Sequence, residues 1–451
     1  MKRVGIIVLA LALLFSCAGA ETLTLYGGRF TSRNTGYKEF CELHPEVEPY
    51  WPSDVYYYPA SAFITALLTQ EFKCDLINQD TDEADWKTLM SKGYCADLSG
   101  SSVLVEAVKQ MHPKIAEQGM LDGHIYAIPV RASFDFWCVT EETWTKMGYS
   151  MEDVPQSFLE LLQFLTEWCD RLADDPEAET VAFGGWEGTA KAADYTFLLT
   201  EMLVNEVTMQ KQFAGEVLEF DVGELAPILE ECAEISVRLA EVESKDYSAT
   251  LFERVIGSFL WPESSETIVY LRIREDEPKL IRSRLRMWAV FAESDQVELA
   301  VELLEKAAVG KADPAQSDDL FIYANAEPRI KYGYEEDLAY WENLRDRTAK
   351  LLENEDLSMD TRETLQEELD SYTQACEWTK INKWMISPEQ IIGYQQVADR
   401  LYFAPLNVFD ASAAGYDKIQ ELLKPFGYEK ESAVQMLERL NSVANMMRLE
   451  Q

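Results

Sequence analysis

Histidine is almost missing from this chain. Only His44, His112 and His124 occur in 451 residues. None has a partner at metal-ligand spacing, so no zinc site is expected. Positive charge is also scarce: 40 Lys+Arg stand against 80 Asp+Glu, a formal net charge of −40. Nucleic-acid binding needs clustered Lys/Arg to neutralise phosphates and is excluded as a reading. Attraction to anionic lipid surfaces is disfavoured for the same reason. Eight cysteines occur without a C-x-x-C pair. Setting Cys17 aside leaves Cys41, Cys74, Cys95, Cys138, Cys169, Cys232 and Cys376, an odd number and too few for a dense disulfide framework. They read as small buried hydrophobes. G-x-S-x-G, H-E-x-x-H and D-x-D-x-D-G signatures are absent, as is a Cys/His nucleophile pair. No catalytic residue, metal or cofactor is therefore assigned. Close acidic pairs such as Glu141-Glu142 occur by chance at this acid content and mostly solvate helices. After the N-terminus no apolar run is long enough for a membrane helix. Repeats and low-complexity linkers are lacking too.

What is present is a globular composition. Hydrophobic residues make up 47% and aromatics 12%, which excludes a disordered acidic polymer. The length suggests about two or three domains. The first residues are set apart. Met1-Lys2-Arg3 is a short basic segment, and Val4 to Phe15 is an apolar run of signal-peptide size, so residues 1–20 read as an export signal. Two exits follow: Ala18-Gly19-Ala20 is an A-x-A cleavage site, and Leu14-Phe15-Ser16-Cys17 is similar to a lipobox with Cys17 as the lipidated residue. Both stay open, so the chain is expected outside the cytoplasm, either lipid-anchored or free.

The following residues alternate between strand and helix patterns. Thr22–Tyr26 reads as a strand followed by Gly27-Gly28, and a helix is expected over Tyr37–Leu43. Val55–Tyr58 reads as a second strand and Cys74–Ile77 as a third, ending in the loop Asn78–Asp82. This order predicts a parallel sheet with ligand beyond its carboxyl ends. A hairpin-like turn is expected at Leu121–Pro129. Extended crossings are expected near 130–139, 281–291 and 315–320. Leu159, Leu162, Leu165 and Cys169 share a helix face, as do Leu365, Leu369, Tyr372 and Cys376. Ser387-Pro388-Glu389-Gln390 is a helix start with a capping box. From Glu335 onward the chain reads as almost entirely helical, with its acidic residues on solvated faces.

Four stretches carry a resemblance. The strand Leu23–Tyr26 begins just after the export signal. Cys74-Asp75-Leu76-Ile77 is followed by Trp86, Leu89, Gly93-Tyr94 and Ala96-Asp97-Leu98-Ser99. Gly123-His124-Ile125-Tyr126-Ala127-Ile128-Pro129 comes third, and Val154-Pro155-Gln156-Ser157-Phe158-Leu159-Glu160-Leu161-Leu162 fourth. In this order they resemble bacterial extracellular solute-binding proteins of ABC importers, the sugar-binding class (family 1 type). The resemblance covers most of the chain after the signal. Ser157-Phe158 replaces the family's Thr-Trp pair, and the helical stretch Tyr340–Ile386 is longer than a minimal member would carry. The resemblance implies a periplasmic-binding-protein-like α/β fold: two doubly wound lobes, a hinge and a largely helical C-terminal part. Lobe 1 is expected over 21–130 and 283–315, and lobe 2 over 140–280 and 320–451.

It also implies a solute, a mono- or oligosaccharide, held between the lobes and delivered to the transmembrane subunits of an ABC permease by a monomer without catalysis. Sugar recognition needs flat apolar faces and polar groups for hydroxyls. Trp186, in the glycine-rich loop Gly184–Gly188, is the leading stacking candidate against simple packing. Arg29 follows the first strand, where it either grips ligand or balances nearby acids. Asp80 is a hydroxyl acceptor; Asp82 is one too, or else caps the helix beginning at Trp86. Arg131 and Ser133 face the cleft if strand alternation holds. Trp137 lines the cleft or joins the core, while Trp261 and Trp288 are further stacking candidates. Two alternatives stand beside this reading: an extracellular glycan-active enzyme, and the same fold binding a peptide, polyamine or other solute.

Overall fold

The computed structural model describes residues 21–450 except 29, 31–33, 52–65, 68, 70–73, 176–180, 184–189, 243–245, 259–265, 309–321, 355–356, 406–408, 410–415 and 429. The expected signal, the strand at Val55–Tyr58 and the crossing at 315–320 lie outside the described residues. β1 (Glu21–Tyr26) leads through α1 (Thr35–Leu43) to β2 (Val47–Tyr50), and β3 (Leu76–Asp80) follows. β1 pairs in parallel with both β2 and β3. β3 extends to Asp80, so Asn78, Gln79 and Asp80 are strand residues rather than loop. Long-range pairing explains the difference: they align antiparallel with Trp288, Met287 and Arg286, and ladder formation overrides weak local strand preference. α2 (Trp86–Ser91), α3 (Ser102–Gln110) and α4 (Pro113–Ala116) lead to the short hairpin β4 (Met120–Leu121) and β5 (His124–Ile125). Asp122 and Gly123, at φ 51° and 83°, make its two-residue turn.

β6 (Ile128–Thr140) is the long crossing strand, followed by α5 (Glu141–Lys146), α6 (Phe158–Asp174), β7 (Val181–Ala182), α7 (Ala192–Phe213) and α8 (Val222–Leu239). β8 (Asp246–Thr250), β9 (Glu253–Ser258), β10 (Glu266–Val269) and β11 (Ile281–Val290) come next. β11 pairs antiparallel with β3 on one side and with Ile128–Asp135 of β6 on the other. The second half of β6 instead pairs with β9 and β10. One strand thus serves two neighbourhoods.

The buried side chains divide accordingly. A first core gathers Leu23, Leu25, Leu76 and Ile77 with Ala132, Phe134 and Phe136 of β6 and with Leu285, Met287 and Ala289 of β11. A second core begins at Trp137 and Val139 and gathers Trp144, Leu161, Leu165, Trp168, Leu199, Leu229 and Leu440. α6 shows how the second core recruits a helix. Ser157 caps it by accepting from Glu160 N at 3.2 Å, and Leu161, Leu162, Leu165 and Cys169 turn inward. Leu159, expected on this face, is 45% exposed; the inward stripe is displaced toward Phe158 and Leu161.

After α9 (Val297–Ala307) and β12 (Arg329–Ile330), α10 (Tyr334–Leu352) and α11 (Met359–Ile381) form an antiparallel helical arm. β12 pairs with β13 (Trp384–Ile386) at its base. Thr348 and Cys376 are the buried residues of these two helices among those described. The rings of Trp341 and Tyr372 meet between them at 6.2 Å. α12 (Pro388–Val397) starts with the expected capping box at Ser387 and Gln390, and β14 (Leu401–Phe403) pairs parallel to β11. Ile386, Ile391, Tyr394, Val397, Leu401 and Phe403 pack in the first core, although the sequence expectation grouped this stretch with lobe 2; the β11 pairing draws it back. α13 (Tyr416–Gly427) and α14 (Ala433–Glu450) close the second core. Among the described residues no helix is long and apolar enough to cross a membrane.

Candidate functional site

Strand alternation gives the crossing sheet two unlike faces. Ala132, Phe134, Leu285 and Met287 enter the first core. The opposite face therefore carries Arg131, Ser133, Asp135 and Trp137 from β6 and Arg282, Arg284 and Arg286 from β11. Register sets Arg284 across from Ser133 and Arg286 across from Arg131 and Asp80. At the end of β1 the chain comes close to this face: a Cβ on Gly27, whose φ is +90°, would lie 1.8 Å from the Asn78 carbonyl oxygen. Only glycine meets both demands.

Carboxylates answer the guanidinium groups one by one. Asp80 accepts from Arg286 Nε at 2.8 Å and Nη2 at 2.6 Å. Glu83 lies 3.7 Å from the same Nη2. Asp82, fully buried, lies 3.3 Å from Arg284 Nε. Asp135 accepts from Arg254 Nε and Nη2 at 3.1 and 3.2 Å and also from Arg282. Arg254 Nη1 donates onward to Glu201 of α7 at 3.1 Å. Burial alone would raise the Asp135 pKa, but the guanidinium groups of Arg282 and Arg254 overcome it and hold the carboxyl below its ordinary range. Among the described residues Glu201 pairs with Arg254 alone, and burial outweighs that guanidinium, so its pKa is raised.

The ladder ends in a cavity of about 70 Å³, between β6, β10 and β11 and the helix α7. That is well above the roughly 10–15 Å³ that a single water molecule needs. Asp135, Glu201, Glu206, Arg254 and Arg282 bring charge to its wall, Asn205 an amide, and Trp137, Tyr270, Met202 and Met209 apolar surface. Leu198, Met202, Asn205 and Met209 share one helical stripe, which is why α7 can present them together. Glu206 is 6% exposed. Burial pushes its carboxyl up to about 7, eased by the Gln210 amide and aggravated by Glu277.

Of the residues singled out from sequence, the structure brings Asp80, Asp82, Arg131, Ser133 and Trp137 to this face. Trp137 is 8% exposed, packs in the second core and lines the cavity. Asp82 does not cap α2. Asp85, directly before Trp86, does so by accepting from Thr88 N at 3.0 Å, and Asp82 pairs with Arg284. Trp288 is buried and stacked on Phe30 at 4.6 Å. Arg29, Trp186, Trp261 and Cys17 lie outside the described residues. Sequence reading missed Asp135, Glu201, Glu206, Arg254, Arg282, Arg284 and Arg286. One signal was available: Ile281-Arg-Ser-Arg-Leu-Arg-Met287 places three arginines on one strand face.

No protein-family model matches the chain, and no curated protein matches it by sequence. Among solved structures it is similar to the cyclic α-maltosyl-1,6-maltose binding protein from Arthrobacter globiformis, at 11% identity over 95% of this chain and 99% of that one, with a TM-score of 0.48. It is also similar to an ABC transporter solute-binding protein from Agrobacterium vitis S4 with bound D-mannitol, at 12% identity over 96% and 99%, with a TM-score of 0.49. An ABC substrate-binding protein from Listeria monocytogenes in complex with cycloalternan shares 11% identity over 95% and 99%, with a TM-score of 0.49.

Proposed function

We propose that this chain is an exported solute-binding receptor of an ABC importer, and that its solute is a saccharide. The observation that carries this reading is the crossing sheet. Two separate cores share β6, and the face that β6 and β11 turn away from the first core holds a paired ladder of arginines and carboxylates that ends in an aromatic-walled cavity. Fixed guanidinium and carboxylate groups offer donors and acceptors to several hydroxyls, and Trp137 and Tyr270 offer apolar ring faces. A solute there touches elements of both cores and favours whichever arrangement holds it best. The two cores serve as the lobes, and the permease reads their closure. Cys17 lipidation or release after Ala20 decides how the receptor is held outside the cell.

The ladder fits binding better than catalysis. Asp80, Asp82, Asp135 and Glu201 are each held by a guanidinium, which suits fixed recognition more than proton exchange. The test is thermal unfolding and calorimetry of the purified chain against mono- and oligosaccharides. A ligand at 100 times its Kd is expected to add about 2.7 kcal/mol of stability. Absence of both shift and heat across the panel overturns the saccharide reading, and release of reducing ends from polysaccharide replaces it with the enzyme reading.

A further inference from the structure

The charges around the cavity do not balance. Asp135 and Glu201 are matched by Arg254 and Arg282, and Glu206 is the carboxyl left over. Its Oε1 accepts from Gln210 Nε2 at 2.7 Å, and that amide also donates to the Pro278 carbonyl at 2.9 Å. Gln210 is thereby fixed in place, but it brings no charge. Among the described residues, no guanidinium or ammonium group forms an ion pair with Glu206. A buried carboxyl of this kind must hold a proton or meet a cation. The cavity that Glu206 lines is also walled by Trp137, Tyr270, Met202 and Met209. Aromatic rings and thioethers do not coordinate a bare metal ion well, and they do suit an organic ammonium group. The Asp135–Arg254–Glu201 edge of the same cavity keeps polar groups for hydroxyls.

We propose that the cavity receives the protonated amine of an amino sugar, with Glu206 as the carboxylate that takes the ammonium group. This rests on the saccharide reading and narrows its substrate class. The titratable and charged groups that line the same cavity are Asp135 on β6, Glu201 on α7, Arg254 on β9, Tyr270 after β10 and Arg282 on β11, and Glu277, in the turn before β11, acts on Glu206 directly. Binding an ammonium group requires ionised Glu206, so it is coupled to proton release. With that carboxyl near 7, affinity is expected to rise about fivefold from pH 6 to pH 7.

The experiment is calorimetric titration of the full chain with glucosamine, galactosamine and mannosamine, each beside its neutral parent hexose and its N-acetyl form, with putrescine as a non-sugar amine. Titrations run at pH 6 and 7 in two buffers of different ionisation enthalpy, which reveals proton release. At least one amino sugar is expected to bind tenfold or more tightly than its parent and its N-acetyl form. Glu206→Gln is expected to bring the three within about twofold and to abolish the pH dependence, its folding being checked by circular dichroism. If hexoses bind and no amino sugar exceeds its parent, this inference is overturned while the receptor reading stands. If no sugar binds but putrescine does, the saccharide reading falls, and this inference with it.

Discussion

The crossing sheet and the α10–α11 arm are both rich in charge, and they use it in opposite ways. On the sheet, charges are buried and answered in pairs: Asp80 by Arg286, Asp82 by Arg284, and Asp135 by Arg254 and Arg282. On the arm, acidic residues far outnumber basic ones and most face solvent. Pairs such as Lys380–Glu342, at 3.2 Å, join long exposed side chains. Exposed pairs contribute about 0–1 kcal/mol, whereas removing one member of a buried pair strands its partner. The net charge of the chain therefore says little about where a ligand sits. Burial and pairing say more.

Breaking each region in turn tests this contrast. Asp135→Ala leaves Arg254 and Arg282 without their shared carboxylate, and a loss of about 3–5 kcal/mol is expected in urea unfolding. Glu367→Gln and Glu368→Gln, both exposed on the arm, are expected to stay within about 0.5 kcal/mol. If the two regions respond alike, the contrast fails.

Glu206 gives the next largest effect, and with the opposite sign. Its pKa is raised in the fold from 4.5 to about 7, so ionisation favours the unfolded chain. Stability is lost as pH rises from about 4.5 to 7. Glu206→Gln removes that loss and is expected to stabilise the chain by about 3 kcal/mol at pH 8, at roughly 1.36 kcal/mol per pKa unit. At pH 4 the two proteins are expected to unfold together. An equal difference at both pH values contradicts the burial account.

Smaller effects sharpen the picture within the arm. Trp341→Ala removes the ring that meets Tyr372. The aromatic pair itself contributes about 0.5–1.5 kcal/mol beyond its buried area. Because these helices share few buried residues with either core, amide exchange in α10 and α11 is expected to quicken while exchange in β6 stays unchanged. Ser387→Ala removes the hydroxyl that accepts from Gln390 N at 3.1 Å, at a cost of about 1 kcal/mol.

Local chemistry made part of this fold legible in the sequence. The Asp122-Gly123 turn, the Ser387 capping box, the extended character of β6 and β11 and the face of α11 from Leu365 to Cys376 all depend on residues near one another in the chain. Long-range partners were harder to see. Asp80 and Arg286 are 206 residues apart, and nothing local to either marks the other. The strand character of Asn78–Asp80 likewise comes from β11. Glu206 lies mid-helix, and its importance depends on a cavity built by four other elements. A helix cap was one of the two roles open to Asp82, because caps are local, while its partner Arg284 arrives from a distant strand.

The most direct test is hydrogen exchange across the whole chain, with and without the saccharide that gives the largest thermal shift. Ligand is expected to protect amides of 131–137 in β6, 282–286 in β11 and 198–209 in α7, leaving 334–381 unchanged. Protection confined to the arm, or none at the crossing strands under saturation, would contradict the assignment of the site.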